Sequence, residues 1–182
     1  MSILTLRYAN AIRRRQGRPG DTWYIDEVFI TIGGKRHYLW RAVDQGGHVL
    51  DILVQKRRGK RAAKRFFRKL LKGLTYAPRR IVTDKLGGYG SARKELLPDV
   101  NHDQGKRLNN RAEVSHQPTR QREQQMRRFK SAAQAQRFLS DHGPINNLFR
   151  VGRHLMKAAH YRLFRNRGFA EWREVTCVQR AH

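Results

Sequence analysis

Acidic residues are scarce in this chain: 14 Asp+Glu stand against 40 Lys+Arg in 182 residues, a formal net charge of +26. That charge goes far beyond what solubility requires. A surface so positive repels itself until it meets a polyanion, which makes nucleic acid the expected partner. Cysteine is almost absent, and the lone Cys177 excludes an internal disulfide framework and any cysteine-rich zinc site. No apolar stretch approaches the roughly 20 residues of a membrane span, and Met1–Arg15 lacks the apolar region of a secretion signal. A soluble intracellular protein is expected, with no membrane partner. What the chain does have is 38% hydrophobic residues and 9% aromatics, enough to bury a core and too many for a disordered basic tail.

The length fits one main domain with a small appendage. Residues 1–22 read as a basic lead-in: Ile3, Leu6, Tyr8 and Ile12 suit a short helix, which the run Arg13 to Gly20 is expected to break. From Trp23 the pattern turns to aromatic and β-branched residues. Trp23–Ile32, His37–Asp44 and His48–Val54 read as three antiparallel strands, joined by turns at Gly33-Gly34 and Gly46-Gly47. Gly59–Leu74 switches to helical period, with Ala62, Ala63, Phe66, Phe67, Leu70, Leu71 and Leu74 on one face and Lys/Arg opposite. Arg80–Thr83 is a short buried-type strand stopping at Asp84. A glycine-rich loop (Gly87, Gly88, Gly90) then leads to a helix around Ser91–Leu97, and Val100–His102 suits a last small strand. Asn109-Asn110 caps a helix reaching about Arg128 and interrupted at Pro118, and further helices cover about Ala132–Phe149 and Gly152–Leu163. This order predicts an α/β fold: one mixed sheet with helices on both faces, over residues 23–130, followed by a helical extension, 131–182.

With so few acids, each position is informative. Asp26 and Glu27 sit inside the most apolar strand, where a carboxylate is costly unless it is paired or bound to a cation. Asp84 ends an apolar run and opens onto glycines, a place where open α/β sheets collect functional groups. Glu113 lies in a segment dense with arginine: Arg111, Arg120, Arg122, Arg127 and Arg128. Each has a plainer reading: a buried Arg partner for Asp26, a loop or cap role for Asp84, a surface ion pair for Glu113. Together they suggest more, because carboxylates gathered at a phosphodiester would repel it unless they hold hard divalent cations. Two such ions, about 3.5–4 Å apart, activate the attacking oxygen and stabilise the leaving one.

Several separated segments then resemble, in order, the DDE transposases of the insertion sequence 6 family. They are Trp23-Tyr24-Ile25-Asp26-Glu27-Val28-Phe29, Tyr38-Leu39-Trp40-Arg41-Ala42-Val43-Asp44, Val82-Thr83-Asp84-Lys85 with Tyr89-Gly90, and Asn109-Asn110-Arg111-Ala112-Glu113. The resemblance runs from about Gly20 to Trp172 and implies an RNase H-like catalytic core with a five-stranded mixed sheet. It further implies a metal-binding catalytic triad of Asp26, Asp84 and Glu113, holding two Mg²⁺ ions that Mn²⁺ could replace. Arg120, seven residues beyond Glu113, matches a basic residue that contacts transposon-end DNA, and Lys85, Arg111 and Arg122 are expected to bind DNA as well. Asp44, Glu27 and Asp51 fall outside the triad positions and are read as structural; His102 and His116, near the site in sequence, are read as solvated or structural, with phosphate contact as the alternative.

The implied activity is DNA-end cleavage and strand transfer on transposon ends and target DNA, by a homo-oligomer on DNA in the cytoplasm, associated with the nucleoid. Only 25 residues precede Asp26, too few for the helix-turn-helix region such transposases carry. Residues 1–22 are accordingly read as the remnant of a DNA-binding region, in a chain truncated at its N-terminus. The alternatives are a catalytically inactive DNA-binding remnant, a basic RNA-binding protein, and an RNase H-like nuclease.

Overall fold

The computed structural model describes residues 3–15, 18–74, 76–85, 87–105, 129–149 and 156–176. They fall into two compact units, residues 19–139 and residues 1–18 with 140–182.

The larger unit is built on five strands: β1 (Thr22–Ile32), β2 (Lys35–Asp44), β3 (Val49–Gln55), β4 (Arg80–Thr83) and β5 (Asn101–Gln104). Their order is β3-β2-β1-β4-β5, with β1, β2 and β3 antiparallel and β1, β4 and β5 parallel. This is the five-stranded mixed sheet that the sequence leads one to expect. The first hairpin is tight because Gly33 and Gly34 both take positive φ, 55° and 75°, which a two-residue turn of this hand requires. The second turn is organised by Asp44. Its carboxylate accepts from the His48 N–H at 2.9 Å and the Gly20 N–H at 3.4 Å, while Gly47 N–H donates to the Asp44 carbonyl at 2.9 Å.

Helices cover both faces of the sheet. On one, α2 (Lys60–Leu74) buries Ala62, Ala63, Phe66, Phe67 and Leu70 against Trp23, Ile25, Trp40 and Ala42, with α3 (Gly87–Leu96) adding Tyr89 and Ala92. The helical stripe recurs every three to four residues, so one face is core and Arg61, Arg65, Arg68 and Lys72 stay in solvent. On the other face, Ile30, Ile32, Leu39, Val43 and Ile52 pack against Phe129 and against Ala135 and Leu139 of α4 (Ala132–Phe149). Ser131 caps α4: its hydroxyl accepts from the Gln134 N–H at 3.1 Å, and the Gln134 amide oxygen accepts from Lys130 N–H at 2.8 Å. Gln136 on α4 reaches the outer strand, accepting from Val54 N–H at 2.7 Å and donating to the Ile52 carbonyl at 3.3 Å.

The expected strands and helices of this unit stand at or near their predicted places, with one correction. Gly87, Gly88 and Gly90 lie within α3 rather than in a loop ahead of it. Burial of Tyr89 and Ala92 on the sheet outweighs the poor helix propensity of the glycines.

The second unit is helical: α1 (Ile3–Arg15), the end of α4, and α5 (Ala158–Thr176). Phe149 meets Phe169 at 5.0 Å and Trp172 at 6.2 Å between ring centroids, and Tyr8 meets Trp172 edge-on at 6.5 Å. Here the arginine run corrects the expectation of a break, because Arg13, Arg14 and Arg15 continue α1. Positive side chains suit the last turn of a helix. Arg13 donates to the Ser140 carbonyl at 3.3 Å, and Arg15 pairs with Glu174 at 3.0 Å. The last helix spans Ala158–Thr176, later than the expected Gly152–Leu163. The expected helix from Asn109 to Arg128 lies outside the described residues.

Candidate active site

The parallel pairing of β1 with β4 brings two acids together. Ile25 stands opposite Thr83, so Asp26 and Asp84 are the next residues on neighbouring strands, which lie about 4.8 Å apart. Glu27 joins them. One carboxylate oxygen from each of Asp26, Glu27 and Asp84 lies within 4.8 Å of the others. The Asp84 side chain keeps 31% of its surface exposed, so the cluster opens to solvent on that side.

Glu27 is the buried member, its side chain only 1% exposed. The strand period puts it on the face of Trp23 and Ile25, toward α2 and α3, whereas Asp26 falls with Tyr24 and Val28. Its carboxylate accepts a short hydrogen bond from the Tyr89 hydroxyl, and Tyr89 is itself buried edge-on to Trp40 at 5.4 Å and Phe67 at 6.4 Å. The other oxygen, Oε1, lies 2.7 Å from Arg58 Nε, yet no N–H is aimed at it well enough to make a hydrogen bond. The contact is a charge pair, and Oε1 keeps an open lone pair. Burial is the largest influence on Glu27 and carries its pKa up to about 6. The Tyr89 bond opposes that rise, the Asp84 charge adds to it, Arg58 opposes it, and Asp26 adds again. For Tyr89, burial and then the Glu27 charge push the phenol well above its ordinary value.

This donor set fits a hard divalent cation. It consists of carboxylate oxygens alone, closely spaced, with Asp84 on the side that opens to solvent. Arg41, directly across β2 from Asp26 and only 3% exposed, adds a buried positive charge on that strand pair. Lys85 follows Asp84 and is exposed. Glu113, Arg111, Arg120, Arg122 and His116 lie outside the described residues.

The other acids have local duties. Asp51 pairs with Lys69 and accepts from the Ile52 N–H at 2.8 Å. Burial alone would raise the Asp44 pKa, but hydrogen bonds and charge from His48, with the Gly20 N–H, hold it below the usual carboxylate value. His102 Nε2 sits 2.9 Å from Thr83 Oγ1, and burial, helped by the Arg93 charge, lowers its pKa.

Two features had little sequence signal. Glu27 was expected to be structural, and it lies among the clustered acids. Arg58 drew no attention within the basic run Lys56 to Arg61, yet its Nη2 stands 3.9 Å from Asp84 Oδ2 while Nε contacts Glu27. The residue beside it carries the available signal: Gly59 has φ +128°, and a Cβ on Gly88 would lie 3.0 Å from Gly59 C and Lys60 N. The Arg58 loop and the start of α3 therefore touch backbone to backbone.

Comparison with known families settles the kinship. Residues 20–152 match the DDE domain of IS240-type transposases. The chain belongs to the DDE domain family. Within it, the chain groups with the insertion sequence 6 transposases. This DDE domain is 37% identical over 100 residues to the transposase for insertion sequence-like element IS431mec of Staphylococcus aureus, covering 52% of this chain and 44% of the relative. It is 34% identical over 93 residues to the uncharacterized protein pYV0051 of Yersinia pseudotuberculosis, covering 48% of this chain and 85% of that protein. The chain thus spans less than half the length of the staphylococcal transposase. Among solved structures it aligns with the BIV integrase catalytic core domain at 11% identity and TM-score 0.46, covering 84% of this chain and 99% of that one. It also aligns with the HTLV-2 integrase catalytic core domain in complex with magnesium at 14% identity and TM-score 0.44, covering 87% of each. No described helix is long and apolar enough to cross a membrane.

Proposed function

We propose that this chain is the catalytic core of a DNA transposase, an enzyme that cleaves DNA ends and transfers the strands to target DNA. The observation that carries the reading is the placement of Asp26 and Asp84 at the same step of two parallel strands, each one residue past the Ile25–Thr83 pair, with Glu27 alongside, in a chain of net charge +26. A nucleic-acid surface has no use for three converging carboxylates, since they repel phosphate. Bound divalent ions would reverse that sign, supplying charge to the attacking hydroxyl and the leaving oxygen of an in-line displacement.

Asp26 and Asp84 hold the ions from the sheet, and Glu113 completes the ligand set. Two Mg²⁺ per site, replaceable by Mn²⁺, suit these hard oxygen donors. No protein nucleophile is needed, so the remaining work is positioning. Lys85, Arg111, Arg120 and Arg122 bind the DNA backbone. The reaction joins two ends, which calls for a homo-oligomer assembled on transposon-end and target DNA, in the cytoplasm at the nucleoid.

The test is strand transfer with a labelled, pre-cleaved 3′-OH DNA end and a plasmid target, in Mg²⁺ and in Mn²⁺. Joined products are expected from the wild type and not from Asp26→Asn or Glu113→Gln. DNA binding without a metal-dependent product from any of the three would replace this reading with that of an inactive DNA-binding protein.

A further inference from the structure

Arg58 and Glu27 form an asymmetric pair. The Glu27 side chain is 1% exposed, while that of Arg58 is 46% exposed. Here the acid is enclosed and the cation faces outward. Arg58 uses Nε toward Glu27, while Nη2 stands on the side of the partly exposed Asp84, on a side chain that is itself 46% exposed. The Nη2 contact with Asp84, at 3.9 Å, is too long for a hydrogen bond, so the fork loses little by turning to another anion.

The guanidinium is also held from behind. Glu27 is fixed by the Tyr89 hydroxyl, Tyr89 is packed between Trp40 and Phe67, and the loop carrying Arg58 lies against α3 where Gly88 meets Gly59. Lys56, Arg57, Lys60 and Arg61 around it are exposed and basic, so the approach to this point is strongly positive.

We propose that Arg58 binds a phosphate of the DNA strand beside the carboxylate cluster, and that Glu27, itself fixed by Tyr89, is the positioning residue that aims it. This rests on the transposase-core reading and gives its DNA a contact at the site itself. Arginine suits the task because its rigid fork can face a carboxylate on one edge and a phosphate on another, which a lysine ammonium cannot do.

The experiment measures equilibrium binding of the full chain to a fluorescent DNA duplex with a recessed 3′-OH end, in Ca²⁺, over a salt series. Uncharged methylphosphonate linkages are walked along the strand near that end. Arg58→Ala should weaken binding roughly tenfold and reduce the slope of log affinity against log salt by about 1. A methylphosphonate at one linkage should weaken the wild type and have no further effect on Arg58→Ala. Arg58→Lys should keep the salt slope and lose the preference for that linkage. Glu27→Gln, checked for folding by circular dichroism, should do the same, which a purely structural role for Glu27 does not predict. An Arg58→Ala protein with unchanged slope and linkage profile would overturn the proposal, and so would a wild type that binds no DNA. Strand transfer run in parallel separates the two readings. Joined products with no Arg58 coupling would sink only the phosphate contact, and coupling without products would sink only the transposase activity.

Discussion

The contact between the Arg58 loop and α3 makes a paired prediction at neighbouring glycines. Gly87 and Gly88 both lie in the first turn of α3, and a Cβ on Gly87 would meet nothing within 4 Å. Gly87→Ala should therefore stabilise the protein by about 0.5–1 kcal/mol through helix propensity and the reduced freedom of the unfolded chain. At Gly88 the same methyl would stand 3.0 Å from Gly59 C and Lys60 N, and 3.3 Å from Gly59 O. All three are backbone atoms, so no rotamer change relieves the contact, and loop or helix must shift by several tenths of an ångström. Overpacking of this kind costs about 1–3 kcal/mol, which exceeds the propensity gain. Gly88→Ala should thus fall below the wild type while Gly87→Ala rises above it. At this chain length a difference of about 2 kcal/mol separates their melting temperatures by about 4–8 °C. Urea denaturation followed by circular dichroism gives the free energies directly. Equal stability of the two variants would refute the close approach, and with it the account of how the Arg58 loop is held.

Two further outcomes follow from side chains that serve backbone groups. Asp44→Asn should lower stability at neutral pH by about 1–2 kcal/mol, because the ionised carboxylate accepts bonds from the His48 and Gly20 amides. Since folding lowers the Asp44 pKa from 3.8, its contribution is present above that pH and is lost as pH falls through the folded value; acid titration of the variant should lack that loss. Gln136→Ala should speed hydrogen exchange at the Val54 amide and cost about 1–2 kcal/mol, read by exchange NMR and a urea midpoint.

Much of this architecture could be read before any coordinates, for reasons visible in particular residues. The Gly33-Gly34 pair marks its hairpin because glycine takes positive φ without the Cβ penalty other residues meet. The stripe from Ala62 to Leu70 marks α2 because its period is helical, and Asp26 stands out because charge is rare in an apolar strand. The remainder depends on contacts distant in sequence. Gly88 looks like a loop residue until Gly59 is found against it. Glu27 falls outside the triad positions of the family it resembles and so looks structural, and only the folded chain brings its carboxylate to the same cluster. Arg58 is indistinguishable in sequence from Arg57, and the difference between them is the fold of one loop.

Gln136 has a consequence for assembly. The edge strand β3 turns outward-facing backbone groups to whatever strand comes alongside, and the Gln136 side chain answers two of them, the Val54 N–H and the Ile52 carbonyl, as a peptide group of a sixth strand would. A primary amide here impersonates a length of main chain. The sheet is thereby closed to extension at that point by the protein's own α4, and a second copy of this chain could not add its strand at the middle of this edge.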